Sequence, residues 1–481
     1  MFENSCIKMV YRGIKVTKMR VVVFGVGGFY RKRKTVFDGV DVVCYLDNNY
    51  AGDALAELNV LAPEFICEYK YDVVVIMTDR FLDEITKQLL QLGCPKEKIL
   101  SYNEFVSLMQ QMGEKQCCMK IYYGADNQQN GSGKKVLLVS HDLSLTGAPI
   151  VLFYAAVNMK KMGYDVFVLS AFDGKLRERY TKQGITVFID DSIIVGNIWL
   201  NRFLEYFDCC MVNTVTLHRL VECLDSLSIP TIWWLHEGED IYNVEKIDAR
   251  EKNAFRNISV YGVGRVACNT YRHYYHGNCK SLLYGIPNEE SNRMIIKDGK
   301  VRLAMVGAIQ KRKGQDILLD ALSYISPEER RSMEVYIVGS TLVERNYADM
   351  IKKRAEDFSE VIMLDEMNHH DINDIYEKID ILVCTSREDP MPVVITEAFS
   401  KGIPCIVSTQ TGSSEYITDG VNGFLVEPNP RLVANKITAI MKMDKEEIEK
   451  IGKKGYEIYR DKFSLPVFYS NLNVALCNLL D

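Results

Sequence analysis

Short apolar runs recur along the chain, each followed by a turn and then a stretch with helical spacing. In a first block, from about Met19 to about Gln111, the runs are residues 20–24, 42–47 and 71–77, with helical spacing at 81–91. A second block starts at Lys134, with runs at 136–140, 165–169, 186–189, 210–213 and 231–235. Thr146-Gly147-Ala148-Pro149 opens a helix there that runs to about Met162. The third block restarts the pattern at 301–307 and continues through 334–339, 381–384 and 405–407, with a helix over 315–323. Buried strands alternating with helices predict parallel sheets, hence an α/β fold. Residues 123–133 are polar, glycine-rich and without periodicity, and read as a flexible linker. Two similar blocks in tandem after that linker suggest two facing lobes with a cleft between them.

Composition narrows the class. At 481 residues the chain is too long for one core. A net charge of -6 argues against a general nucleic-acid partner. The 14 cysteines are scattered without zinc-like spacing, which fits buried, reduced thiols in a cytoplasmic protein. No apolar run reaches the roughly 18 residues of a membrane span, and no signal-peptide apolar region opens the sequence. The expected location is the cytoplasm, with peripheral contact at the inner face of a membrane left open.

The densest chemistry lies at 386–398, Ser-Arg-Glu-Asp-Pro-Met-Pro-Val-Val-Ile-Thr-Glu-Ala. Two carboxylates, Asp389 and Glu397, flank a proline-rich turn that runs into a helix with Pro392 at its first position and Gly402 past its end. Free N–H groups and the positive end of a helix dipole suit an anion, and neighbouring carboxylates suit hydroxyls. That combination fits a nucleotide sugar. Upstream, Gly307-Ala308-Ile309-Gln310-Lys311-Arg312-Lys313-Gly314 offers Lys313, with Arg312 behind it, to neutralise a diphosphate; a solvated basic turn is the alternative. Gly147, lacking a Cβ, lets a ligand approach a helix start closely, though an ordinary helix start would look the same. His236 follows a strand, at the end where ligands sit in open sheets, or is simply structural. In the first block, Gly25-Val26-Gly27-Gly28 with Asp47 at the end of the next run, where a ribose could be bound, and Arg31-Lys32-Arg33-Lys34 just past the glycines suggest an anion site; a solvated basic helix start in a structural domain is the alternative. The third glycine of a full dinucleotide fingerprint is Tyr30 instead.

From Lys134 to about Leu480 the chain resembles a retaining glycosyltransferase of family 4. The resemblance is carried by Val139-Ser140-His141 with Thr146-Gly147-Ala148, then Leu283-Tyr284-Gly285-Ile286-Pro287-Asn288, Lys313-Gly314 and the 389–397 segment. Gly412-Ser413-Ser414-Glu415, Asp419-Gly420 and Gly423-Phe424-Leu425-Val426 close it. It implies a GT-B fold of two Rossmann-like lobes. It also implies a nucleotide-diphosphate sugar as donor, with no metal and no further cofactor required. Glu397 would take the ribose and Lys313 the distal phosphate. Asp389 and His236 would touch the donor sugar, without being firmly catalytic. The backbone around Met391, Pro392 and Val393 would meet the phosphates, Gly147 would close over the diphosphate, and the base would lie near Leu364 and Met367. The acceptor would be the hydroxyl of a glycan, a lipid-linked sugar or a protein, in bacterial polysaccharide or glycoconjugate synthesis. The first block resembles a Rossmann-like accessory domain of sugar-modifying proteins, with a homo-oligomer through that domain left open. The expected boundaries are 1–115 for that domain, 116–133 for the linker, 134–295 for the acceptor-side lobe and 296–465 for the nucleotide-sugar lobe. A helix at 466–481 would pack back on the acceptor-side lobe.

Two departures from the family pattern stand out. Asp389 occupies the place of a glutamate, with Glu388 displaced by one, and Ala308 stands where arginine is common. Arg312 or Lys311 is the expected substitute. The absence of any Asp-x-Asp argues against the other common glycosyltransferase fold. The alternatives are a sugar-nucleotide epimerase on the same fold, a non-catalytic nucleotide-sugar-binding scaffold subunit, and a nicotinamide-dependent reductase in the first block.

Overall fold

The computed structural model describes residues 19–37, 40–48, 58, 60–78, 81–111, 119–125, 133–195, 200–245, 247, 255–288, 299–367 and 369–480. Most of the linker read at 116–133 falls outside them, as does the 295/296 boundary. The chain forms two compact units. One holds the residues up to Ile121 with Ser170–Phe172 and Phe188–Leu200, and the other holds the rest.

In the first unit, Val60–Leu61, Asp41–Leu46, Arg20–Phe24, Val73–Ile76 and Ile99–Ser101 form one parallel sheet in that spatial order. It is the order 3-2-1-4-5 of a doubly wound Rossmann-like sheet without the sixth strand. The apolar runs are continuous because both faces are covered. Val21, Val23 and Val75 pack with Tyr30, Phe105 and Val106 on one side. Val22, Phe24 and Val74 pack with Ile85 and Leu89 on the other.

The second unit contains two further sheets. The first runs Lys280–Ser281, Ile258–Gly262, Thr231–Leu235, Cys209–Asn213, Lys135–Ser140 and on to Asp165–Ser170. The pairings from Lys135–Ser140 to Lys280–Ser281 are parallel. The other sheet is fully parallel, in the order Val361–Leu364, Met333–Val338, Val301–Val306, Ile381–Cys384, Cys405–Ser408, Phe424–Val426. Helix Gln315–Ser323 turns Ile317, Leu318, Leu319 and Leu322 into this sheet's core, and helix Pro430–Met441 adds Val433 and Ile437.

The chain ends on the lobe in which this unit began. Helix Lys445–Ile458 runs into a π-turn, Tyr459–Phe463, and then into helix Leu465–Leu480. That last helix packs on helix Gly147–Lys161 and on strand Thr231–Leu235. Phe468 stacks on Trp234 at 5.5 Å between ring centroids, and Asn158 donates to Asn473 at 3.2 Å. The two crossings between lobes run side by side. The Ile286 N–H donates to the Phe463 carbonyl at 3.0 Å, and the Tyr459 hydroxyl donates to the Ile286 carbonyl at 3.0 Å.

Phe468 is fully buried. Phe468→Ala should therefore cost about 3–5 kcal/mol in urea unfolding, as truncation of a buried aromatic does. Val474→Ala on the solvent side of the same helix, where 60% of the residue is exposed, should change little.

Candidate functional site

The site begins with a charge problem at the turn after strand Ile381–Cys384. Asp389 is only 7% exposed. Lys313 Nζ lies 2.5 Å from its Oδ2, and Arg312 Nη1 lies 3.4 Å from the same oxygen. Burial pushes the Asp389 carboxyl up, but the two cations, the Lys313 hydrogen bond and the Met391 N–H outweigh it and hold it below the usual carboxylate range. Lys313 closes a 3₁₀ turn, Lys311–Lys313, and Gly314 after it has φ +79°. A side chain at Gly314 would also meet the Thr385 carbonyl, since an added Cβ would lie 2.4 Å from that oxygen. The two loops are latched together. Arg387 donates to both Asp316 oxygens, at 2.9 and 2.7 Å, and its N–H donates to the Arg312 carbonyl at 2.7 Å. Of the two candidates to stand in for the family arginine, Arg312 is the one that reaches Asp389, while Lys311 is exposed.

Two helix starts meet at this turn. Helix Val393–Ser400 begins one residue later than the sequence suggested, because Pro392 is its N-cap, with φ -62° and ψ 119°. The fixed proline φ suits either position; the extended ψ decides. Helix Gly147–Lys161 starts in the facing lobe behind Thr146. An added Cβ on Gly147 would come within 3.1 Å of Val393 Cγ2. Neither helix has a side-chain cap, so first-turn N–H groups at Gly147, Ala148, Val393 and Val394 stay available, with both dipoles positive toward the same gap.

Glu397 lies one turn along the second helix, on a small cavity shared with Ile150, Tyr154, Asn373 and Lys401. The buried Tyr376 hydroxyl donates to its Oε2 at 2.7 Å. The turn itself is held by Tyr284, whose hydroxyl contacts Thr396 Oγ1 at 2.9 Å and donates to the Met391 carbonyl at 3.4 Å.

His236 sits just past strand Thr231–Leu235, in edge contact with the Trp234 ring at 4.6 Å. Burial first, then His141, lowers its pKa to about 3, and among the described residues its Nε2 finds no hydrogen-bond partner. The sequence reading passed over its neighbour Glu237. That carboxylate accepts the N–H groups of His236 and Val215, each at 3.0 Å. Burial raises it to about 7 against those backbone donors. The segment it braces is strained: Thr214, a β-branched residue, has φ +78°. Only a Glu adjacent to the histidine hinted at this, and nothing in the pattern marks Thr214.

Leu364 ends strand Val361–Leu364, where its carbonyl accepts the Gly339 N–H at 3.1 Å, and Met367 follows, half-buried. In the first unit, Gly25 has φ +96° and Gly27 precedes the short helix Gly28–Arg33. Asp47 is buried just past strand Asp41–Leu46, and its Oδ2 accepts the Val26 N–H at 3.0 Å, which ties the glycine loop to that strand end. Among the described residues, no three His, Cys, Asp or Glu side chains cluster as a metal site. Among them, too, no helix is long and apolar enough to cross a membrane.

Known proteins share parts of this chain's sequence and its fold. Residues 288–458 match the model for glycosyl transferases group 1, and residues 132–262 match glycosyl-transferase family 4. The chain belongs to the family 4 glycosyltransferases. Its first unit matches the C2185-like N-terminal model over residues 17–100. Spore coat protein SA of Bacillus subtilis is 30% identical over 172 residues, covering 34% of this chain and 45% of that protein. The UDP-Gal:alpha-D-GlcNAc-diphosphoundecaprenol alpha-1,3-galactosyltransferase of Escherichia coli is 28% identical over 166 residues, covering 33% and 40%. The glycosyltransferase chain thus spans less than half the length of these two relatives. The structure of Anabaena HepE in complex with UDP and glucose superposes with a TM-score of 0.60 at 18% identity, over 72% of this chain and 99% of that one. At that identity the likeness establishes the fold, which is GT-B.

The His236-Glu237 pair makes a pH prediction for this glycosyltransferase. Glu237 is raised from 4.5 to about 7, so the folded state binds its proton more tightly than the unfolded chain does. Its contribution is present below pH 4.5 and is lost as pH rises toward 7. His236 is lowered from 6.5 to about 3, and its contribution runs the other way, lost as pH falls through that window. The two slopes oppose each other in wild type. Urea unfolding of Glu237→Gln should therefore show stability rising more steeply with pH between 4.5 and 6.5 than wild type does. Identical pH slopes would contradict the assignment.

Proposed function

We propose that this protein transfers a sugar from a nucleotide-diphosphate sugar to a hydroxyl acceptor with retention of anomeric configuration. The observations that support the reading are the Lys313 and Arg312 pairing with Asp389 in the turn that leads into helix Val393–Ser400, the start of helix Gly147–Lys161 against Val393, and Glu397 on the small cavity beside Val393. Cleaving the bond between sugar C1 and the phosphate oxygen leaves an electron pair on a departing diphosphate. Fixed positive ends and a lysine stabilise charge that grows in the transition state, and they need no reorganisation to do so. Glu397, one helical turn from the phosphate end, accepts from the ribose hydroxyls. Asp389 accepts from the donor sugar and holds Lys313 in place. His236, kept neutral, borders the sugar from the other lobe. The acceptor oxygen attacks C1 on the face the phosphate leaves, and its proton passes to the departing phosphate oxygen.

Relatives support a uridine nucleotide and a lipid-linked acceptor. The HepE structures hold UDP and glucose or UDP-glucose, and the name of the Escherichia coli relative describes transfer from UDP-Gal to a diphosphoundecaprenol-linked sugar. We place the reaction in bacterial polysaccharide or glycoconjugate synthesis, with peripheral membrane contact through the acceptor lipid.

The test is thermal unfolding against a panel of nucleotide sugars, followed by incubation of the stabilising donor with and without hydroxyl acceptors. A true donor at a hundredfold over its Kd should add roughly 2.7 kcal/mol. Glu397→Ala should abolish that gain, and Lys313→Ala should weaken it and lower turnover by about 10²-fold or more. An epimerised sugar nucleotide from donor alone, or stabilisation untouched by Glu397→Ala, would overturn the reading.

A further inference from the structure

Beside Asp389 stands a second acid that the family pattern does not use. Glu388 points away from its own lobe. Its Oε1 accepts the Glu239 N–H at 2.6 Å, at the start of helix Glu239–Val244 in the facing lobe. Residue 238 is glycine, and an added Cβ there would lie 1.7 Å from that same Glu388 oxygen. Gly238 has φ -95° and ψ -169°, an extended backbone open to any residue, so its missing side chain serves the Glu388 contact and not the chain's own geometry. Adjacent residues of one turn therefore face opposite ways. Asp389 is tied to Lys313 within the nucleotide-side lobe, and Glu388 is tied to backbone of the other lobe.

We infer that Glu388 is a positioning residue that couples lobe closure to the placement of Asp389. When the lobes close, its carboxylate seats on the start of helix Glu239–Val244 and draws the 388–392 turn into register, with Asp389 and the start of helix Val393–Ser400 carried along. An ion pair between the lobes, Arg265 with Glu415, is too exposed for this task, since the Arg265 side chain is 69% exposed. Glu388 is half-buried, and a hydrogen bond from a backbone N–H to a charged carboxylate is the stronger coupling. The inference rests on the sugar-transfer reading for its kinetic arm only.

The test is a double-mutant cycle on the full chain. Glu388→Ala should lower kcat at least about tenfold while the Kd for UDP stays within about threefold, because nucleotide binding precedes closure. Glu388→Gln keeps an oxygen acceptor and should recover most of the loss. Gly238→Ala should reproduce the Glu388→Ala defect. In the Glu388→Ala background it should add nothing, because the atom its methyl would strike is gone. Hydrogen exchange at the Glu239 amide, read without any turnover, should speed up in both single variants. Additive kinetic losses, or Glu239 exchange unchanged in both single variants, would overturn the inference. If no donor is turned over at all, the exchange arm still decides it, and the transfer reading fails separately.

Discussion

A carboxylate taken out of water is costly unless positive charge stands beside it, and the nucleotide-side lobe is organised around that requirement at Asp389. Two cations answer it, from a loop 76 residues earlier for Lys313 and 77 for Arg312. Holding them there needs the left-handed Gly314, the Arg387–Asp316 latch and the buried Thr385, whose hydroxyl donates to the Gly314 carbonyl at 2.8 Å. The same turn then has to release its chain into helix Val393–Ser400 with first-turn N–H groups unspent. Pro392 does this by ending the turn in an extended conformation. Charge, loop geometry and helix start thus form one unit, and changing any of them moves the others.

The parallel sheets explain why such a unit can be built here. In an open α/β sheet the carboxyl ends of the strands and the starts of the following helices lie at one edge. Both sheets of the second unit supply that edge to the same gap, from helix Gly147–Lys161 on one side and helix Val393–Ser400 on the other. The positive ends therefore meet at one place, as the proposed diphosphate site requires, and buried strands such as Ile381–Cys384 anchor the elements around it.

Much of this was legible along the chain. Continuous apolar runs located strands such as Arg20–Phe24 and Thr231–Leu235, because strands covered on both faces need no alternation. Helix Gln315–Ser323 followed from its spacing. Lys313, Asp389, Glu397 and Gly147 stood out because charges or a glycine interrupt apolar or helical patterns; the structure pairs Lys313 with Asp389 and sets Gly147 against Val393, one turn before Glu397. What could not be read were contacts between residues far apart in sequence. The reach of Glu388 to residue 239, the Tyr376 hydroxyl on Glu397 and the strain at Thr214 depend on packing that no local spacing encodes. Strand ends also shifted. The run at 71–77 is a strand only over Val73–Ile76, although the Asp72 N–H still donates to the Arg20 carbonyl at 2.9 Å and the Met77 N–H to the Phe24 carbonyl at 2.8 Å.

The two chain crossings between the lobes carry a mechanical consequence. Ile286 and the Phe463–Ser464 step are hydrogen-bonded neighbours, not separate tethers at opposite ends of the gap. Two tethers fastened at one spot act as a pivot: they fix where the lobes are joined and leave contacts such as Gly147 against Val393 to set how the rest of the two faces meet.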